Sequence, residues 1–160
     1  GIGKGSTFVV RLALDQAAVA PAPGNAPAAQ GAPVGPLRIL VTDDNVDAAE
    51  TLSILLEMEG HDVTLAHDGQ QALQMAAQCL PDVAFLDIGL PDMSGHEVAR
   101  RLRQIAGVER CAIVAVSGWG APDDLARSSA AGFDAHFTKP VASNRVLDYL
   151  AVVAASMRST

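Results

Sequence analysis

The sequence predicts an α/β domain built on a doubly wound parallel sheet with helices on both faces. From Leu37 onward, strand-like and helix-like patterns alternate, the sequence form of parallel strands joined by crossover helices. Four of the five strand candidates are nearly all apolar, as strands covered on both faces should be. Acidic, hydroxyl and basic residues close these runs, at the carboxyl ends where open α/β sheets form their ligand sites.

The first strand is expected over residues 37–42. After it, Val46, Ala49, Leu52, Leu56 and Glu59 keep helical spacing, and Gly60 can take the left-handed position past the helix end. The second strand is expected over residues 61–66 and the third over 82–86, with a second helix between them. Ser94 and Glu97 form a capping-box pattern, opening a helix that sets Val98, Leu102 and Ile105 on one face. A fourth strand over 111–116 leads to a fourth helix, with Pro122 in its first turn and Gly132 at its end. The fifth strand is expected over 134–138, and Val146, Leu147, Leu150 and Val153 form the buried stripe of a last helix.

Composition bounds what such a domain can do. The chain has 160 residues, 49% of them apolar and 18% charged, which is ordinary usage for a single core. A net charge of −7 argues against a protein that grips a nucleic-acid backbone, since those cluster Lys and Arg. No apolar run approaches the roughly 20 residues that cross a bilayer, and the N-terminus lacks the features of a signal peptide. A cytoplasmic segment without membrane contact is therefore expected. Cys79 and Cys111 have no CxxC spacing and are read as two reduced thiols.

The first 36 residues read differently. Residues 15–36 hold five prolines and three glycines without an aromatic residue, so they cannot bury enough surface to offset ordering and read as a flexible linker. Residues 1–14, GIGKGSTFVVRLAL, are a glycine loop and a short β-like run, too short for a core of their own. The domain is expected over residues 37–157 with a tail at 158–160, and deleting residues 1–36 should leave its stability nearly unchanged.

The chemistry lies at the strand ends. Asp43 and Asp44 follow the first strand, and adjacent carboxylates repel unless a cation lies between them. Mg²⁺ is usually held by one or two carboxylates, with water and phosphate completing its shell. Asp87 closes the third apolar run and adds a third carboxylate. Lys139 offers a point positive charge and Ser117 a hydroxyl donor, both suited to phosphoryl oxygens. Together these groups could accept a phosphoryl group on a carboxylate and steady its charge.

On these residues the chain resembles the receiver domains of two-component response regulators. Asp43 and Asp44 match the family's acidic pair, Asp87 in FLDIGLPDMSG its phosphoacceptor, Ser117 its hydroxyl residue and Lys139 in TKP its lysine. Ser117 and Lys139 stand 30 and 52 residues after Asp87, as in that family. The resemblance implies a flavodoxin-like sheet of strand order 2-1-3-4-5. It also implies Mg²⁺ held by Asp44, Asp87 and the backbone carbonyl of Gly89, with Asp43 acting mostly through water, and a cis peptide from Lys139 to Pro140. Phosphoryl transfer would come from the phosphohistidine of a histidine kinase's dimerisation domain or of a histidine phosphotransfer protein. Residues 1–14 resemble the last glycine motif and closing strand of a sensor kinase's ATP-binding domain. That implies a hybrid histidine kinase with its receiver at the C-terminus, and within this segment no kinase activity beyond the receiver's own phosphotransfer and dephosphorylation.

Two departures from the family pattern bear on readout. The switch position three residues before Lys139, usually Tyr or Phe, is His136, and the position two after Asp87 is Gly89, without a side chain to steer water. An imidazole that moves inward with Ser117 should favour its neutral form, so a modest response, stronger above neutral pH, is expected. Arg100, Arg101 and Arg103 read as an ordinary solvated helix face, His96 as exposed, His61 and His67 as without metal partners, and Trp119 as loop packing. The alternatives are a pseudo-receiver that only binds proteins, or a phosphatase of the haloacid-dehalogenase type. The latter wants an Asp-x-Asp nucleophile motif that the Asp43-Asp44 pair fits poorly.

Overall fold

The computed structural model describes residues 35–118 and 128–158. The expectations for residues 1–34, for Trp119 and for Pro122 lie outside these residues. By its contacts the chain separates into residues 1–30 and 31–160, and the description is of the second unit.

The described elements follow in the order β1 (Arg38–Thr42), α1 (Val46–Met58), β2 (Asp62–Ala66), α2 (Gly69–Cys79), β3 (Val83–Asp87), α3 (Gly95–Leu102), β4 (Ala112–Ser117), β5 (Ala135–Thr138) and α4 (Ser143–Arg158). The five strands form one parallel sheet in the order β2-β1-β3-β4-β5. This is the doubly wound, flavodoxin-like order the resemblance implies. Burial follows from it: every residue of central β3 is buried, while edge strand β2 is only partly covered.

Alternation along the strands sends successive side chains to opposite faces. Leu40, Leu86, Ile113 and Ala115 pack with Val98 and Leu102 of α3 and Ala72 and Ala76 of α2. Ile39, Val41, Phe85 and Val116 pack with Leu56 of α1 and Val146 and Leu150 of α4 on the other face. Each fully buried large side chain contributes about 1.5–3 kcal/mol relative to exposure. Two cores of this kind fix the sheet, and the sheet fixes where its strand ends lie.

The helix ends are held by short side chains. Asn45 accepts a hydrogen bond from the Ala48 N–H, Asp68 from Gln71 and Ser94 from Glu97. Gly60 and Gly132 have φ of +88° and +94°, as their expected helix-terminating roles require. The capping box at α3 is only half formed, because the Glu97 carboxylate takes bonds from Arg100 and Arg101 and does not reach back to Ser94. Helix α3 also stops at Leu102, short of Ile105. Residues 104–111 continue as tight turns that bond three residues back, and Ile105 still packs against the core.

Asp87 and Ser117 were expected just past their strands and are instead the last strand residues. Asp87 pairs with Val116 and Ser117 with Thr138. Their backbones are thereby held in the sheet ladder.

Candidate functional site

Four strand ends converge at one edge of the sheet. Asp43 follows β1, with its N–H donated to the Ala66 carbonyl and its Oδ1 accepting the Asn45 N–H at 3.0 Å. Asp87 ends β3, and its Oδ1 accepts the Gly89 N–H at 3.1 Å. Lys139 follows β5, its N–H donated to the Ser117 carbonyl at 2.7 Å, and its peptide to Pro140 is cis, as the resemblance implies. From there its Nζ donates to Asp43 Oδ2 and to Asp87 Oδ2, each at 2.7 Å.

Asp43 and Asp87 are 6% and 8% exposed, a burial that two carboxylates tolerate only when paired. Lys139 supplies the pairing. Burial pulls its ammonium pKa down, but the hydrogen bonds to Asp43 and Asp87 outweigh this and leave it above the usual lysine value. The carboxylates of Asp43, Asp44 and Asp87 each bring an oxygen within 4.8 Å of the others. Three carboxylates against one ammonium leave a surplus of negative charge, and oxygen donors suit a hard divalent cation. The donor set therefore fits Mg²⁺.

The loop after Asp87 is shaped by contacts that sequence reasoning missed. The Asp92 carboxylate accepts the Gly69 and Gln70 N–H groups at the start of α2, at 2.8 and 2.9 Å, and these bonds hold its pKa below the usual carboxylate range. The signal could not be local, because the helix it caps begins 23 positions earlier. Gly95 closes the loop by donating to the Ile88 carbonyl, and a Cβ there would overlap the Asp87 carbonyl oxygen. At Gly89 a Cβ would stand 3.9 Å from Asp87 Oδ1, so a longer side chain at 89 would reach over that carboxylate.

Ser117 and His136, read together as the switch, are in contact: Ser117 Oγ lies 2.8 Å from His136 Nε2. Ser128, not singled out in the sequence, lies 3.3 Å from His136 Nδ1. His96 is half-buried, contrary to the expected exposure, because Phe133 packs edge-on against its ring and Ser128 Oγ lies 3.5 Å from its Nε2. His67 Nδ1 is 3.2 Å from the Asp43 carbonyl, and His61 Nδ1 accepts the Leu37 N–H, so both serve the backbone. Arg100 and Arg101 are exposed and pair with Glu97 as a solvated face would. Arg103 does not belong with them. Its guanidinium donates to the carbonyls of Gly132, Glu109 and Cys111 and to Asp134, tying the end of α3 to the starts of β4 and β5.

Comparison with known proteins agrees with this arrangement. The family model described as the response regulator receiver domain matches residues 39–151. The chain belongs to the response regulator receiver family. Receivers are the modules of two-component signalling that interact with histidine kinases or phosphotransfer proteins, and they generally bind Mg²⁺ at an acidic pocket such as this one. Among relatives, the sensor histidine kinase AtsR of Burkholderia thailandensis is 34% identical over 142 residues, covering 88% of this chain and 24% of AtsR. The chain thus spans about a quarter of that relative's length. Among solved structures, chemotaxis protein CheY4 of Vibrio cholerae superposes with a TM-score of 0.71 at 25% identity, covering 74% of this receiver chain and 99% of CheY4. A CheY-like receiver domain protein from Methanospirillum hungatei gives 0.72 at 26% identity, with coverage of 78% and 98%. Among the described residues, no helix is long and apolar enough to cross a membrane.

Proposed function

We propose that this receiver accepts a phosphoryl group from phosphohistidine onto Asp87. The observation that carries the reading is the Lys139 ammonium bridging Asp43 Oδ2 and Asp87 Oδ2 at 2.7 Å. Asp87 is the only one of the three clustered carboxylates that ends a strand inside the sheet. Its neighbour strand β4 ends in a hydroxyl residue and the strand beyond leads to the lysine. An Asp87 carboxylate oxygen attacks phosphorus, the P–N bond breaks, and its electron pair returns to the donor imidazole, which takes up a proton. Lys139 and the Ser117 hydroxyl face the charge that develops on the phosphoryl oxygens. Asp43, Asp44 and Asp87 would hold Mg²⁺ together with the Gly89 carbonyl. That ion supplies charge neutralisation and orientation of the phosphoryl oxygens.

A groove of about 840 Å³ leads from Asp43 and Lys139 along α1, past Leu55, Ile54 and Met58 to the Pro140 loop. Ile54 and Met58 are 57% and 81% exposed. Apolar residues open to solvent beside an acceptor site suit the helical domain that presents a phosphohistidine, either a kinase dimerisation domain or a phosphotransfer protein. The similarity to AtsR supports a hybrid kinase parent. Its span is longer than the segment from Leu37 to Thr160 and so takes in residues before the receiver. Retention of every acidic, hydroxyl and lysine position speaks against a binding-only pseudo-receiver.

The test is intact mass after incubation with acetyl phosphate and Mg²⁺. One labile phosphoryl adduct is expected in the wild type and none in Asp87→Asn. An adduct that persists in the variant, or none in the wild type where a control receiver is modified, would overturn the assignment.

A further inference from the structure

A chain of polar side chains leads away from the acceptor site. Ser117 Oγ is 2.8 Å from His136 Nε2, His136 Nδ1 is 3.3 Å from Ser128 Oγ, and Ser128 Oγ is 3.5 Å from His96 Nε2 in the first turn of α3. Ser117 and Ser128 are 7% and 2% exposed, so these hydroxyls have little water to turn to. His136 pairs with Ala115 in register, which places it by alternation on the same sheet face as Ser117.

A neutral imidazole has one donor and one acceptor nitrogen, whereas an imidazolium has two donors. With its proton on Nδ1, His136 donates to Ser128 and receives the Ser117 hydroxyl proton at Nε2. Ser117 then has no proton to offer a phosphoryl oxygen. As an imidazolium, His136 donates from Nε2 to a Ser117 lone pair, and the Ser117 O–H is released to point toward the strand ends. A phosphoryl group also carries more negative charge than the carboxylate it replaces, about −1.5 to −2. The cationic ring is favoured by that change.

We propose that His136, neutral as the Nδ1–H tautomer, is a positioning residue for Ser117: its protonation turns the Ser117 hydroxyl from a donor toward the imidazole into a donor toward a phosphoryl oxygen on Asp87. The proposal rests on the phosphoacceptor reading. It reverses the pH direction expected from sequence, which assumed that the ring is driven inward and neutralised. In the structure the ring sits against both serines, so each of its nitrogens has a hydroxyl to bond in either charge state.

Among the described residues, the titratable and charged groups around His136 are few. His96 of α3 is reached through Ser128, and Asp87 and Lys139 lie beyond Ser117 at the ends of β3 and β5. Arg145 and Tyr149 of α4 stack on Phe137, which points to the opposite face. Among the described residues, the variable charges nearest His136 are therefore the acceptor site, through Ser117, and His96, through Ser128.

The experiment is an NMR titration of the histidine rings in the full chain from about pH 5 to pH 8, in Mg²⁺ with and without beryllofluoride. The midpoint of the His136 titration is expected to rise by about one unit with beryllofluoride. By reciprocal linkage, beryllofluoride should bind up to about tenfold tighter at the acid end. Ser117→Ala should remove most of the rise and His136→Phe the pH dependence of binding, while His96→Gln should leave both in place. If the Asp87 and Gly89 amides respond to beryllofluoride while the His136 midpoint stays fixed, the inference fails and the acceptor reading stands. A rise undiminished in Ser117→Ala would also overturn it, since charge alone would then suffice. If those amides do not respond at any pH, both readings fall.

Discussion

Lys139 Nζ and Asp87 Oδ2 lie 2.7 Å apart although 52 positions separate them in the chain. The contact exists because β5 and β3 flank β4 in one parallel sheet, so that strands distant in sequence end side by side. It places a fixed cation where negative charge develops during phosphoryl transfer.

Lys139→Ala should therefore slow adduct formation from acetyl phosphate by about 10²-fold, the scale of losing one donor aimed at developing charge. Mg²⁺ binding measured by calorimetry should survive, because the three carboxylates remain. A rate within a few-fold of wild type would leave the ammonium without a chemical role.

The carboxylate cluster makes a separate prediction. Asp44 is exposed and bears no bridge to Lys139, so its replacement disturbs the fold least while removing one oxygen donor. Asp44→Ala should raise the Mg²⁺ concentration needed for half-maximal adduct formation by roughly tenfold or more, the scale of one lost charge-assisted contact. Chelation should stop adduct formation and added Mg²⁺ restore it. An unchanged Mg²⁺ requirement in Asp44→Ala would remove that residue from the ligand set.

Arg103 offers a stability test far from the chemistry. Its side chain is 25% exposed and its bonds go to three backbone carbonyls and Asp134. Arg103→Ala should cost about 2 kcal/mol in denaturant unfolding. Arg101→Ala, which breaks only an exposed pair with Glu97, should cost about 0.5 kcal/mol or less. Equal losses would mean that Arg103 is not the cross-link its geometry describes.

The contrast between these arginines marks where sequence reading stops. Asp43, Asp87, Ser117 and Lys139 were legible because each closes a strand, and in a parallel sheet strand ends share an edge whatever the loops do. Arg103 looked like Arg100 and Arg101 because one helix face was assigned to all three. Arg103 is still helical in conformation, with φ −61° and ψ −16°, and stands one turn after buried Ala99, on the side of the helix that meets Gly132 and Asp134. Asp92 and Ser128 escaped for a related reason. Their partners lie on other elements, at Gly69 and His136, and only the packed sheet brings them together.

Asp92 also gives the fold a pH dependence. Bonds from Gly69 and Gln70 hold its folded-state pKa below the unfolded value of about 3.9. A depressed carboxylate contributes stability above the unfolded value and loses it as pH falls through the folded one. Asp92→Ala should therefore melt below wild type at neutral pH, with the gap closing as pH falls from the unfolded value through the folded one. A gap independent of pH would show that the contribution comes from packing and not from the charge.

The central claim, that Asp87 is the phosphoacceptor, is tested most directly by trapping the adduct. Borohydride reduces an acyl phosphate to the alcohol, converting a phosphorylated aspartate to homoserine. After treatment with a phosphodonor and Mg²⁺, peptide mass spectrometry should find homoserine at position 87 and at no other acidic residue. Homoserine at Asp43 or Asp44, or a phosphoryl group retained on a histidine with position 87 unmodified, would contradict the account.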